Sequence, residues 1–308
     1  MKYNAITSLH IFKNFYIDFP LTIRVIAVIT IFIGFFFVLY PRYSATKIVS
    51  AFAIFFACFN LFARLAYYFS PAHYGSFDFR FNCFMRMKGG NIWFVGILAM
   101  TAAAWPVAKM IKINYYRLLD ILIISFSLWI VLDPIACFFQ NCCWGLPTTL
   151  PFGVFHHNTM RHPAQLYFSA FGILYLNFNW VLSKSKMSDG WLFSLMFFLS
   201  SLAYIGIEHL TFRRWLWGPL KVSQYFGMIG CLVGLIFSWK TGLLINTNQI
   251  FRNFSLKLKE ILRVLLEFFL ILGVFIASYN TIASYITSIV GIFFLSRKYL
   301  KILRSYSE

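Results

Sequence analysis

The side chains best able to do chemistry are concentrated between residues 140 and 167. Gln140-Asn141-Cys142-Cys143-Trp144-Gly145-Leu146-Pro147-Thr148 is followed by Arg161-His162-Pro163-Ala164-Gln165-Leu166-Tyr167. Arg161 offers a planar guanidinium that can grip a phosphate through two parallel hydrogen bonds. His162 is an imidazole able to take a proton near neutral pH. The vicinal Cys142 and Cys143 become nucleophilic or redox-active only where a base or cation lowers a thiol pKa, and small apolar packing is the simpler expectation. The six cysteines, at 58, 83, 137, 142, 143 and 231, lack the paired spacing of a zinc site or a disulfide framework, so neither a metal nor a cofactor is expected.

Beyond that stretch the suspects are acids beside long apolar runs, because ionisable groups at membrane depth are costly. Asp133 precedes Pro134, and Glu208 precedes His209. For Asp133 the bland expectation is a pairing with an arginine such as Arg64, Arg161 or Arg213, or a side chain that snorkels to water. Glu267 sits four residues after Arg263 and reads as a helix-packing pair. Arg213 and Arg214 add two cations after His209; they read either as phosphate binders or as a basic helix end among lipid head groups.

These residues need elements to hold them, and composition says which. The chain has 308 residues, 60% hydrophobic and 12% charged, too apolar for an ordinary water-soluble globule. Its apolar runs are about twenty residues long, the length of a membrane-crossing helix, without the ten-residue alternation of a membrane β-barrel. The expected fold is therefore all-α: a polytopic transmembrane bundle. Spans are read at 21–40, 48–69, 91–110, 118–139, 164–183, 189–208, 219–239, 261–278 and 281–296. The first seven form a core within 1–240; residues 241–308 form a basic linker and a C-terminal helical hairpin. No cleaved signal peptide is read in the first 20 residues.

A net charge of +18 would suggest nucleic acid in a soluble protein. In this chain the excess reads as topology and as attraction to anionic lipid, so no nucleic-acid partner is expected. Cations cluster at Lys109, Lys112 and Arg117, at Lys184 and Lys186, and at Arg297, Lys298, Lys301 and Arg304. Because such loops stay on the cytoplasmic side, the N-terminus is expected outside and the C-terminus in the cytoplasm. The loops 70–90, 140–163 and 209–218 then face outward.

The run from Asp120 to Tyr167 resembles the bacterial prolipoprotein diacylglyceryl transferases. That family has an Asp opening the helix, then Asn-Gly-Cys-Cys-Tyr-Gly-x-Pro-Thr, Pro-Trp-Gly-Val and Arg-His-Pro-x-Gln-Leu-Tyr-Glu. Here stand Asp120, Gln140 to Thr148, Pro151-Phe152-Gly153-Val154 and Arg161 to Tyr167. Gly89-Gly90 to Gly96 and Val222-Ser223-Gln224 are weaker echoes of its glycine-rich helix start and of the opening of its last helix. The resemblance implies an enzyme of the bacterial inner membrane, working in lipoprotein biosynthesis. It would move diacylglyceryl from phosphatidylglycerol, or another anionic phospholipid, to the thiol of a lipobox cysteine in a preprolipoprotein. It implies catalytic roles for Glu208, Arg161 and His162. Substrate binding falls to Gln140, Asn141, Gly145, Gln165, Tyr167, Arg213, Arg214 and Gln224.

The sequence departs from the family at five places. The loop arginine expected after Asp133 is Pro134, the histidine of the glycine-rich helix is Phe94, the arginine four residues before Glu208 is Tyr204, the glutamate after Gln-Leu-Tyr is Phe168, and the Asn-Gly pair is Gln140-Asn141. These losses define a second reading, a non-catalytic or repurposed relative that keeps the bundle as a lipid-binding scaffold. A transporter is disfavoured, since Asp120 and Asp133 flank the fourth span with no charge between them.

Overall fold

In the computed structural model of the chain, residues 8–12, 15–40, 42–69, 92–150, 153–156, 158–183, 188–212, 216–217 and 220–241 are described. Seven helices account for most of them: α1 (Phe19–Leu39), α2 (Ala45–Tyr68), α3 (Trp93–Ile111), α4 (Tyr115–Phe139), α5 (Ala164–Ser183), α6 (Trp191–Leu210) and α7 (Val222–Lys240). They match the first seven expected spans to within a turn. The last two spans, the pair Arg263–Glu267 and the hairpin at 241–308 lie outside the described residues, apart from Thr241. Three short antiparallel hairpins complete the description: β1 (Ser8–Phe12) with β2 (Phe15–Asp18), β3 (Val154–His156) with β4 (Thr159–Arg161), and β5 (Leu216–Trp217) with β6 (Leu220–Lys221). Six helices, all but α5, are long and apolar enough to cross a membrane. α5 is as long but carries Gln165, Asn177 and Asn179, all buried. The protein is a multi-pass membrane protein of all-α class.

The chain divides into two compact units. The first comprises Met1–Val38, Leu122–Met187 and Leu244–Glu308, the second Leu39–Ile121 and Ser188–Leu243. In the first, α1 shows helical patterning turned inside out. Leu21, Val25, Ile29, Ile33 and Phe37 recur every four residues and are exposed, the stripe expected of a lipid-facing surface, while Ile23, Ala27 and Phe35 are buried. Within the same unit α4 and α5 pack closely, because a Cβ at Gly172 would meet the Val131 backbone nitrogen at 2.8 Å. Ser169 Oγ, on the same side, donates to Val131 O at 2.9 Å. Small and hydroxylated residues are what membrane helices use to bring backbones together.

The second unit repeats that grammar on α7. Its buried residues include Ser223, Gln224, Gly227, Gly230, Gly234 and Ser238, whereas Met228, Ile229, Leu232, Leu235, Ile236 and Trp239 are exposed. Here too lies the place of Asp120, which is 1% exposed. Its two carboxylate oxygens accept the Gly190 and Phe193 amides at 2.7 and 2.8 Å. It thus caps the N-terminus of α6, whose first amides have no partner inside the helix and whose dipole favours a negative charge. Gly190 sits at φ 87°, the left-handed region where glycine carries no steric penalty.

Candidate functional site

In the first unit α4 ends at Phe139 and the chain reverses sharply. Asn141 takes φ 55° and Cys143 φ 61°, and the Cys142 amide bonds back to Cys137 O at 3.0 Å. This reversal lays Cys142 on Cys137, and the two form a disulfide. That corrects the expectation of simple apolar packing without a disulfide; the one-turn spacing was hidden because Cys137 belongs to the helix and Cys142 to the loop. The following segment is clamped to the start of α5. Gly145 N donates to His162 O at 2.8 Å, His162 N to Leu146 O at 3.0 Å and Thr148 N to Met160 O at 2.9 Å. The hairpin β3–β4 adds the pairing Val154↔Arg161.

This bracing positions the expected site residues of the loop and of the start of α5. Arg161 is half-buried, with Nη1 donating to Gly145 O at 3.3 Å. His162 Nδ1 lies 2.9 Å from the Tyr167 hydroxyl, which sets the orientation of the imidazole. Gln165 is 2% exposed; its amide nitrogen donates to Cys142 O, and its Oε1 is buried with no hydrogen-bond partner among the described residues. Gly145 is buried, Asn141 half-buried and Gln140 exposed at the turn. Trp144 stacks on His156 at 4.3 Å between ring centroids. A cation, an imidazole and a buried amide are thus held by one backbone-braced loop, a set able to bind an anionic head group and handle a proton.

Asp133 of α4 pairs with Arg24 of α1, Nε to Oδ1 at 2.8 Å, instead of the expected Arg64 or Arg161. Arg24 is a residue to which the sequence alone assigned no role. The signal was its place one turn into an otherwise apolar helix, which asks for an acidic partner. The pair keeps a guanidinium beside Asp133 although the next residue is Pro134.

The second unit holds the other group. Glu208 is 1% exposed near the end of α6, with its Oε2 2.7 Å from the Thr211 hydroxyl. Lys221, at the start of α7 and 9% exposed, directs its ammonium at the carbonyls of Glu208 (2.5 Å), His209 (3.1 Å) and Thr211 (2.5 Å). It also lies 3.2 Å from the Thr211 hydroxyl that meets Glu208. A cation at a helix C-terminus satisfies carbonyls that lack partners and answers the negative end of the dipole. Gln224 spends both ends of its amide on this junction, accepting from Lys221 N at 2.9 Å and donating to Ile205 O at 3.3 Å. Lys221 is the residue sequence reasoning missed. Arg213 and Arg214 lie outside the described residues.

One turn below Glu208 the character changes. Phe94 and Tyr204 are 0% and 1% exposed and stack with centroids 5.0 Å apart and planes at 16°. Trp93 meets Tyr204 edge-on at 4.7 Å, and Phe197 continues the stack beyond Phe94. These are the two positions where the resemblance leads one to expect histidine and arginine. Here they hold two aromatic rings that pack face to face.

The model of the family described as prolipoprotein diacylglyceryl transferase matches residues 14–240. Among curated proteins, the chain is 26% identical over 157 residues to a phosphatidylglycerol–prolipoprotein diacylglyceryl transferase of Clostridium tetani, covering 48% of this chain and 63% of that one. It is 26% identical over 164 residues to a protein of the same name from Trichormus variabilis, covering 48% and 58%. With that of Cupriavidus metallidurans it shares 28% over 134 residues, covering 41% and 49%. The match thus spans roughly half to six-tenths of the length of these relatives.

Proposed function

Since the chain belongs to the prolipoprotein diacylglyceryl transferase family, we propose that it transfers the diacylglyceryl group of phosphatidylglycerol to the cysteine thiol of a lipobox-bearing precursor in the bacterial inner membrane. The observation that carries this reading is the braced loop, where Arg161, His162 with Tyr167, and the buried Gln165 amide are held together. In the reaction a base takes the thiol proton, the thiolate forms a thioether with the glyceryl carbon, and the carbon–oxygen bond to phosphate breaks, releasing glycerol phosphate. Glu208 or His162 serves as the base. Arg161, with Arg213 and Arg214, neutralises the departing phosphate. Gln140, Asn141, Gly145, Gln165, Tyr167 and Gln224 serve in binding lipid and peptide.

The proposal places the loop and the N-terminus on the outer face and the C-terminus in the cytoplasm. The positive residues at Lys109, Lys112 and Arg117 support this orientation. So does the Cys137–Cys142 disulfide, a bond that persists in oxidising compartments. The test is direct: purified protein, phosphatidylglycerol vesicles and a lipobox peptide should yield a peptide carrying the diacylglyceryl mass. Absence of that mass shift, where a Clostridium tetani relative produces it, rejects the transferase reading.

A second reading is favoured by the Phe94–Tyr204 stack: a relative that binds phospholipid without turning it over. An aromatic pair keeps the packing of a lipid cavity while removing groups that stabilise charge. Native mass spectrometry showing bound phospholipid beside a silent lipidation assay would select it.

A further inference from the structure

Three sulfurs meet where α4 gives way to the loop. Cys137 and Cys142 are joined in a disulfide, and Cys143, the next residue, remains a thiol whose Sγ lies 3.3 Å from Cys137 Sγ. All three sulfurs fall within 4.8 Å of one another, and all three residues are half-buried, so the group is reachable from outside. The left-handed backbone at Asn141 and Cys143 creates this juxtaposition, since it turns two successive side chains toward the same helical residue. The Gln165 amide holds the Cys142 carbonyl meanwhile, so the loop stays in place whichever sulfur is bonded.

We propose that Cys137, Cys142 and Cys143 form a thiol–disulfide exchange centre whose ligand is the cysteine thiol of a peptide. In the internal step the Cys143 thiolate attacks Cys137 Sγ, a 137–143 bond forms, and Cys142 leaves as a thiolate that takes up a proton. An external cysteine thiolate attacks the same Cys137 sulfur; it forms a mixed disulfide and expels Cys142, and Cys143 then displaces the peptide and closes the 137–143 bond. The electrons balance in both sequences, because one disulfide enters and one leaves and every thiol consumed is matched by a thiol released; no oxidant or reductant is consumed. Thiolate attack on a disulfide sulfur is the general route of such exchange. Only a thiol can follow it, and this fixes the chemical class of the ligand.

The centre is independent of lipid transfer, and its readout is disulfide connectivity. Full-length protein in nanodiscs is acid-quenched, alkylated and peptide-mapped, with Cys58 and Cys231, each on its own helix, as internal thiol controls. Wild type should show both the 137–142 and the 137–143 link, and Cys142→Ser should show 137–143 alone. Each single variant keeps one bridge, so the loop remains stapled. With a labelled cysteine peptide, Cys143→Ser should accumulate the mixed disulfide at Cys137 about tenfold above wild type, because the resolving thiol is gone. A single 137–142 link in wild type, a reduced Cys137 in Cys142→Ser, or no peptide adduct on Cys143→Ser would each overturn the proposal.

Discussion

The loop after α4 and the α3–α6 contact met the same change of composition in opposite ways. In the loop and at Asp133, charge has been kept. Pro134 stands where the family resemblance leads one to expect an arginine, yet the Arg24 guanidinium reaches Asp133 from another helix. On α3 and α6, charge has been surrendered: Phe94 and Tyr204 now stack on each other, buried from solvent. An acid keeps its partner cation in the one place, and two packed rings leave no charge in the other. Under the proposed function the chemistry rests on the braced loop and on Glu208, and the aromatic pair serves stability.

That contrast can be broken by experiment. The largest effect is expected at Glu208: Glu208→Gln should lower lipidation about 10²- to 10⁴-fold while leaving thermal stability in detergent nearly unchanged, if the carboxylate acts as a base. An equal loss of stability would move Glu208 from chemistry to packing. Next comes Phe94→Ala, which removes one ring of a buried stack and should cost about 3–5 kcal/mol in reversible unfolding. A neutral result would mean that the stack is not the stabilising element described. Lys221→Met should cost about 2 kcal/mol, since it leaves the terminal carbonyls of α6 without their charged donor. Melting of α6 should register it first in hydrogen exchange. The smallest effect belongs to Tyr167→Phe, which loses one hydrogen bond to His162 and about 1 kcal/mol. If the loop is the working region, that variant should disturb the pH dependence of lipidation more than its stability.

What could be read in advance follows from what is local. Helix boundaries came from runs of apolar residues, and a helix lies within about a turn of each of the first seven expected spans, six of them long and apolar enough to cross a membrane. The clamp between the loop and the Arg161-His162 segment joins two stretches already recognisable as one motif. Two of the pairings that escaped are contacts across sequence: Arg24 with Asp133 at a separation of 109 residues, and Lys221 with the end of α6 at 10 to 13. Inside an apolar helix a single arginine announces that a partner exists, but not which one. The Cys137–Cys142 disulfide was obscured for another reason, because it depends on a left-handed residue, Asn141, whose conformation sequence spacing does not reveal. The Phe94–Tyr204 stack could have been suspected from two simultaneous polar-to-aromatic departures.

The Asp120 cap also imposes an order on synthesis. Its carboxylate leaves the ribosome 70 residues before the Gly190 amide that it will accept. At roughly 5 to 20 residues per second that gap lasts about 4 to 14 seconds. Throughout that interval the acid has no helix end to neutralise, and burial in lipid would be at its most costly. Asp120 must therefore wait in the interfacial water until α5 has been made and the first turn of α6 arrives. A nascent chain stalled before Gly190 should keep this aspartate open to solvent, and its retreat from water would report that α6 has docked.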